Sequence, residues 1–164
     1  MVEDVVRQLG HLTLGTRLKR LGERLQSQTQ RILDAHEVPI QAAQFPFLAA
    51  VDRLGPLTIG ELAEAVGMTQ PGATRALAQL AQEGFVEITS ASDDQRRKRV
   101  TLTRQGKRLV EVGKRDVWPL IDAAVKDACR RLSGSLLEQL AGLEDGLVEE
   151  SIDRRAARIH GRRR

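Results

Sequence analysis

Gln70, Thr74, Arg75 and Gln79 fall on the side of a helix left free by an apolar stripe, and Arg96, Arg97, Lys98 and Arg99 follow as four adjacent cations. Their chemistry is recognition, not bond making. Gln can bond bidentately to adenine and Arg to guanine, while Thr can meet a base edge or a thymine methyl. Four neighbouring cations repel one another unless they face phosphates or a narrow, negative minor groove. Bond-making sets are missing. His11, His36 and His160 lie far apart, with no His-Glu-x-x-His spacing, and the single Cys offers no paired thiols for zinc. The Gly residues mark helix ends and form no phosphate-binding loop. An enzymatic activity, a cofactor and a metal are therefore not expected.

Two short helices must position these side chains. Thr58 with Glu61 three residues on is a capping box. Ile59, Leu62, Ala63 and Val66 then share one helical face, and Gly67 stands where a helix commonly ends. Met68 is expected to plug the corner. Thr69 is the next N-cap candidate, and Pro71 sits in the first turn, where its missing N–H costs nothing. Ala73, Ala76, Leu77 and Leu80 form the buried stripe of the second helix, and Gly84 ends it. Pro71 and Gly72 are expected to let the helix start approach the bases closely. Residues 85–89 read as a strand, the SASDD run at 90–94 as a turn, and 100–103 as the returning strand. The four cations are thus expected at a hairpin tip, with Asp93 or Asp94 pairing with Arg96.

The run LTIGELAEAVGMTQPGATRALAQLAQEGFVE, the Asp94-Gln95-Arg96 signature and Leu102-Thr103 together resemble the DNA-binding domain of the MarR (multiple antibiotic resistance regulator) family. Arg75 matches that family's recognition-helix Arg, and Arg96 its wing Arg. The resemblance implies a mainly α, winged helix-turn-helix fold with long N- and C-terminal dimerisation helices. It implies a homodimer on double-stranded DNA with a pseudo-palindromic operator, acting as a repressor released by a small-molecule effector. The DNA-contacting set is then Thr69, Gln70, Pro71, Gly72, Thr74, Arg75, Gln79, Arg96, Arg97, Lys98 and Arg99. Family members bind small, frequently anionic or aromatic ligands between the dimer helices and the winged domain, which makes His11, Arg17, His36, Phe45 and Trp118 the candidates here. The same segment order also resembles the regulatory half of proteins that fuse such a domain to an acetyltransferase. A protein-interaction module is therefore the alternative reading.

The rest of the 164 residues supports helices. Aromatics are limited to Phe45, Phe47, Phe85 and Trp118, so Leu, Val, Ile and Ala must build the core. The expected organisation is an N-terminal dimerisation helix (1–37), a winged domain (41–103), C-terminal dimerisation helices (104–153) and a basic tail (154–164). Leu14, Leu18, Leu21, Leu25 and Ile32 form a helical seam, weakened near Gly10 and Gly15. Residues 42–54 read as the first winged-domain helix, burying Phe47, Leu48, Val51 and Leu54. A long helix from Thr103 to Arg131 carries Val110, Val117, Ile121, Ala124 and Ala128, and Pro119 predicts a kink or a break near 116–118. A last helix starts at Ser133 or Ser135 with Leu136, Leu140, Leu143, Leu147 and Ile152 on one side. These helices carry more apolar surface than one chain can hide, which favours a dimer.

The net charge of +4 is unevenly spread. Residues 90–115 hold nine basic and three acidic residues, whereas 134–153 hold six acidic and no basic ones. The basic stretch fits a polyanion partner. The Arg-rich tail reads as a disordered phosphate-binding arm or a solvated end. Cys129, beside Arg130 and Arg131, reads as a structural thiol, with a redox sensor as its alternative. No apolar run is long enough for a membrane span and no signal peptide is apparent, so a cytoplasmic protein without a membrane partner is expected.

Overall fold

The computed structural model describes residues 2–91 and 94–161, with backbone alone at 90, 91 and 94–97. The chain divides into two units, residues 1–121 and 122–164.

The first unit opens with α1 (Val5–Gln8), capped by Asp4, whose carboxylate accepts from the Arg7 N–H at 3.1 Å and pairs with Arg20 at 2.9 Å. A single 3₁₀ turn (Gly10–Thr13) leads into α2 (Leu14–Ala35). The expected break thus falls at Gly10 (φ +56°), while Gly15 sits inside the helix. Leu18, Leu21 and Leu25 are exposed, and only Leu33 near the C-terminus is buried. The middle of the seam, Leu18 to Leu25, therefore faces away from the chain's own core, while Ile32 packs on it. α2 ends in a Schellman motif: the Val38 N–H donates to the Leu33 carbonyl at 2.9 Å and the Glu37 N–H to that of Asp34 at 3.1 Å. Leu33 and Val38 both pack in the core, as that motif favours.

α3 (Phe45–Leu54) starts three residues later than the sequence pattern suggests. The Gln44 side chain accepts from the Gln41 N–H at 2.7 Å and holds the preceding residues as a turn. Phe47, Leu48 and Val51 are buried as expected, but Leu54 is exposed because the last turn leaves the core before Gly55. β1 (Leu57–Thr58) follows, then α4 (Ile59–Val66) with the full Thr58–Glu61 capping box and Gly67 left-handed at its end. α5 (Gln70–Gln82) buries Ala73, Leu77 and Leu80. Met68 does not plug the corner between them. It is 41% exposed, because Leu62, Ala63 and Leu77 already fill the interior.

β2 (Val86–Ala91) and β3 (Asp94–Leu102) make the hairpin, and β1 adds to β3 to give an antiparallel sheet of order β1-β3-β2. Val100 pairs with Ile88 on one side and Leu57 on the other, and is fully buried. The strands run further out than expected. The cations at 96–99 belong to β3, opposite β2 from Thr89, rather than to the connecting turn. Pairing of Asp93 or Asp94 with Arg96 lies outside the described residues.

Thr103 caps α6 (Arg104–Val112), accepting from the Gly106 N–H at 3.0 Å and donating to the Gly84 carbonyl at 2.6 Å. A Cβ on Gly106 would lie 2.0 Å from the Phe85 carbonyl oxygen, so only glycine permits this approach of helix to hairpin. The expected long helix is divided. A π-helical turn (Gly113–Val117) separates α6 from α7 (Trp118–Cys129). Pro119 lacks an N–H and its ring opposes the carbonyl four residues back, and the wider turn absorbs both. Beyond Ile121, Ala124 and Ala128 are exposed, not part of a buried stripe.

The second unit carries α8 (Leu136–Glu149), capped by Ser135, and α9 (Ile152–Gly161). Ile152 begins this separate helix and does not continue α8. The stretch from 154 is helical and largely exposed as far as Gly161, so this part of the tail is an ordered, solvated end and not a disordered arm, while 162–164 lie outside the described residues. Arg155 donates to the carbonyls of Glu150 and Gly146, and Arg158 pairs with the Glu150 carboxylate at 2.9 Å, which pins α9 to the end of α8.

Candidate nucleic-acid interface

α5 separates its residues cleanly. Thr69, Gln70, Pro71, Thr74, Arg75 and Gln79 are exposed, opposite the buried Ala73, Leu77 and Leu80. The Thr69 hydroxyl accepts from the Gly72 N–H at 3.4 Å and sets the helix start. Gly72 is half-buried, and an added Cβ would lie 3.2 Å from that hydroxyl, so the glycine keeps the cap intact. Backbone groups hold the exposed side chains. Thr74 donates its hydroxyl to the Gln70 carbonyl at 2.8 Å, leaving its methyl outward for apolar contact. Arg75 Nε donates to the Pro71 carbonyl at 3.4 Å, and no acid neutralises this guanidinium among the described residues. Its remaining N–H groups can fork onto an acceptor pair. Gln79 is engaged with Glu83 at 3.0 Å.

The wing reaches the same place from β3. Lys98 lines an open cleft of about 470 Å³ together with Gln70 and Thr74, floored by Thr58, Ile59, Gly60 and Glu61 at the start of α4. Lys98 shares a strand face with Val100 and Leu102; Val100 is buried and Lys98, two residues further out, is exposed beside the helix start. Arg99, exposed on the strand, donates to the Pro56 carbonyl at 3.5 Å. The side chains of Arg96 and Arg97 lie outside the described residues. The meeting of Lys98 with Gln70 and Thr74 was not legible in the sequence, since it depends on strand register.

Of the residues expected to line a ligand crevice, Phe45 and Trp118 touch edge to face, with ring centroids 4.4 Å apart. His36 is close to Asp116, whose carboxyl is held below its ordinary range, first by hydrogen bonding from Arg115 and lastly by the charge of His36. His11, in the 3₁₀ turn, and Arg17, on α2, share no hydrogen bond, ion pair or ring contact with them among the described residues. Cys129 is half-buried at the last residue of α7. Among the described residues no His, Cys, Asp and Glu side chains form a metal-sized cluster, and no helix is long and apolar enough to cross a membrane.

A family model described as MarR family matches residues 38–97, from the turn before α3 into β3. Among solved structures, the chain is similar to a MarR family transcriptional regulator from Silicibacter pomeroyi, at 26% identity over 85% of this chain and 90% of that one, with a TM-score of 0.58. In fold it is similar to MarR from E. coli, at 24% identity over 83% of this chain and 95% of that one, with a TM-score of 0.58. It is also similar in fold to Bordetella bronchiseptica BpsR, whose DNA binding is regulated by 6-hydroxynicotinic acid. There the identity is 19% over 80% of this chain and 98% of that one, and the TM-score is 0.59.

Proposed function

We propose that this chain, which belongs to the MarR family of winged helix-turn-helix transcriptional regulators, is a homodimer that binds a pseudo-palindromic duplex operator and represses until a small-molecule ligand releases it. The observation that carries the DNA face is the exposed side of α5 sharing one cleft with Lys98 of the wing. Recognition helices read bases with their N-terminal residues, and here that end carries Gln70, Thr74 and Arg75. In this reading those three face the major groove. Thr69, Pro71 and Gly72 shape the helix start, and Gln79 lies along the flank. Arg96 and Arg97 serve the minor groove, while Lys98 and Arg99 meet phosphates. Phosphate contacts set the affinity and base edges the sequence preference.

The exposed leucines of α2 and α8 support the dimer. Two such subunits related by a dyad present half-sites about one turn, about 34–36 Å, apart. A ligand that prefers one separation of the two lobes shifts the population. The regulation of BpsR by a small aromatic acid supports an effector of that kind, received near Phe45, Trp118 and His36, with His11 and Arg17 as the other candidates. The test is selection from a random duplex pool with the full chain. The expected result is a palindrome, with Arg75→Ala relaxing the preference at one position of each half-site for about 1–3 kcal/mol. Recovery of no motif, with only weak salt-sensitive retention, would overturn the reading and favour a protein-interaction module.

A further inference from the structure

The joint between α2 and the winged lobe is small. Beyond the buried Leu33, the half-buried Ile32 and the Schellman reversal at Glu37, one side chain ties the helix to the chain entering α3. Gln30 accepts from the Ala42 N–H at 2.7 Å through Oε1. Its Nε2 donates to the Ile40 carbonyl at 3.2 Å and to the Asp34 carboxylate at 2.8 Å. One carboxamide thus grips two backbone groups two residues apart, as a neighbouring strand would, and Asp34 fixes the direction of the amide from the next turn. The loop it grips is itself held by the Gln44 side chain, which is 3% exposed and bonds the Gln41 N–H. Ile40, whose carbonyl is one of the gripped groups, is buried in the winged core.

We infer that Gln30 is a positioning residue that sets which half-site spacing the dimer accepts. This rests on the operator-binding dimer proposed above. α2 acts as a lever: from Gln30 to Leu14 is about 24 Å at the helical rise. A swing of about 10° at the joint moves the far end by about 4 Å, more than the roughly 3.4 Å rise of one base pair. The leucines that would meet a second copy lie along that lever, so the angle at Gln30 governs the separation of the two α5 helices. A stiff link confines joint binding of two sites to one geometry, whereas a loose link tolerates others at lower gain.

The test uses the selected operator and versions with one or two base pairs added between its half-sites, against the full-length protein and Gln30→Ala. For the wild type, the added base pairs cost about 100-fold in affinity. For Gln30→Ala the cost falls to about tenfold, the original operator is bound about threefold more weakly, and an isolated half-site is bound equally by both proteins. Gln30→Glu keeps the acceptor for the Ala42 N–H but sets a carboxylate oxygen against the Ile40 carbonyl and the Asp34 carboxylate, so its spacing cost also falls toward about tenfold; it carries the test if the alanine variant does not fold. A folded, dimeric variant with the wild-type spacing cost overturns the inference and leaves the proposed function standing. So does a variant that binds every spacing more weakly by one common factor, which is a merely structural effect. A wild type that selects no palindrome overturns both.

Discussion

Glu37 occupies a conformation that suits glycine. It is the one non-glycine residue with positive φ (54°) among the described residues, and it stands at the left-handed position of the Schellman motif ending α2. An L-residue there costs about 1–2 kcal/mol in clash between Cβ and backbone, part of which glycine returns through its freer unfolded chain. Glu37→Gly is therefore expected to raise stability by about 0.5–1 kcal/mol in urea unfolding. A lower midpoint would show that the carboxylate contributes more than the strain removes. The same scale separates what the sequence discloses from what it hides. The caps Thr58, Thr69 and Thr103 were legible because a cap joins residues three apart. Leu54 and Met68 misled because an apolar side chain is buried only if a partner element reaches it, and pattern alone does not say which side the partner takes. The clamp by Gln30 was invisible for a related reason: its two backbone partners, at Ile40 and Ala42, are defined by a loop path, not by a spacing.

The helix after the wing departs from regular α geometry for a physical cause. Pro119 announced a disturbance in the helix after the wing, but its place was set by Trp118. The indole packs on Phe45 and fills the space where a side chain at position 113 would stand, so the π turn opens around Gly113. A Cβ at that position would lie 2.5 Å from Trp118 Nε1. Gly113→Ala must therefore displace the ring, and overpacking of this kind costs about 1–3 kcal/mol. Trp118 is the one Trp of the chain, so its fluorescence reports the seat directly. A red-shifted emission with a lower melting temperature is expected, and an unchanged spectrum would show that the turn yields instead of the ring. The hairpin illustrates the complementary failure. Its two strands were legible from β-branched alternation, yet their length was not, because Arg and Lys in a strand look like loop residues until the pairing of Ser90 with Lys98 is seen. β1, two residues long, carries no alternation at all.

At the other end of the chain, the Glu150 carboxylate joins α9 to the end of α8. Hydrogen bonding from Arg158, with the charges of Arg158 and Arg155, holds the Glu150 carboxyl below its ordinary value of 4.5. A depressed folded value means that the stabilisation is fully present above the unfolded value and is lost as pH falls through the folded one. Amide exchange in α9, referred to the intrinsic rate at each pH, should therefore accelerate below about pH 4 in the wild type. In Glu150→Gln it should already be fast at neutral pH and change little on acidification. Equal protection of α9 in the two proteins at pH 7 would mean that the Arg155 bonds to the backbone carbonyls hold the helix unaided.

For the whole molecule, charge and apolar surface are unevenly distributed along the sequence, and both distributions fit the proposed partners. The basic run at 90–115 contains the wing and α6, while the acidic run at 134–153 contains α8. Among the exposed leucines, Leu18, Leu21 and Leu25 line α2, and Leu136, Leu143 and Leu147 lie on α8. The core that a single chain completes is that of the winged lobe, with α2 contributing only its C-terminal end. In the proposed dimer a second copy covers this leucine face, so the apparent stability should rise with protein concentration, as for any species held by mass action. Replacing Leu21 and Leu25 together by Glu places two charges on that face while leaving Leu33 and the winged core untouched. The expected product is a folded monomer that binds the full operator no better than a half-site, a loss of about 10²-fold or more in affinity. Sedimentation and operator titration read the two parts of this outcome separately. A double variant that remained dimeric would move the interface to the C-terminal helices. One that became monomeric yet bound the full operator at wild-type affinity would mean that a single winged lobe supplies the recognition, and that the two-fold arrangement plays no part in it.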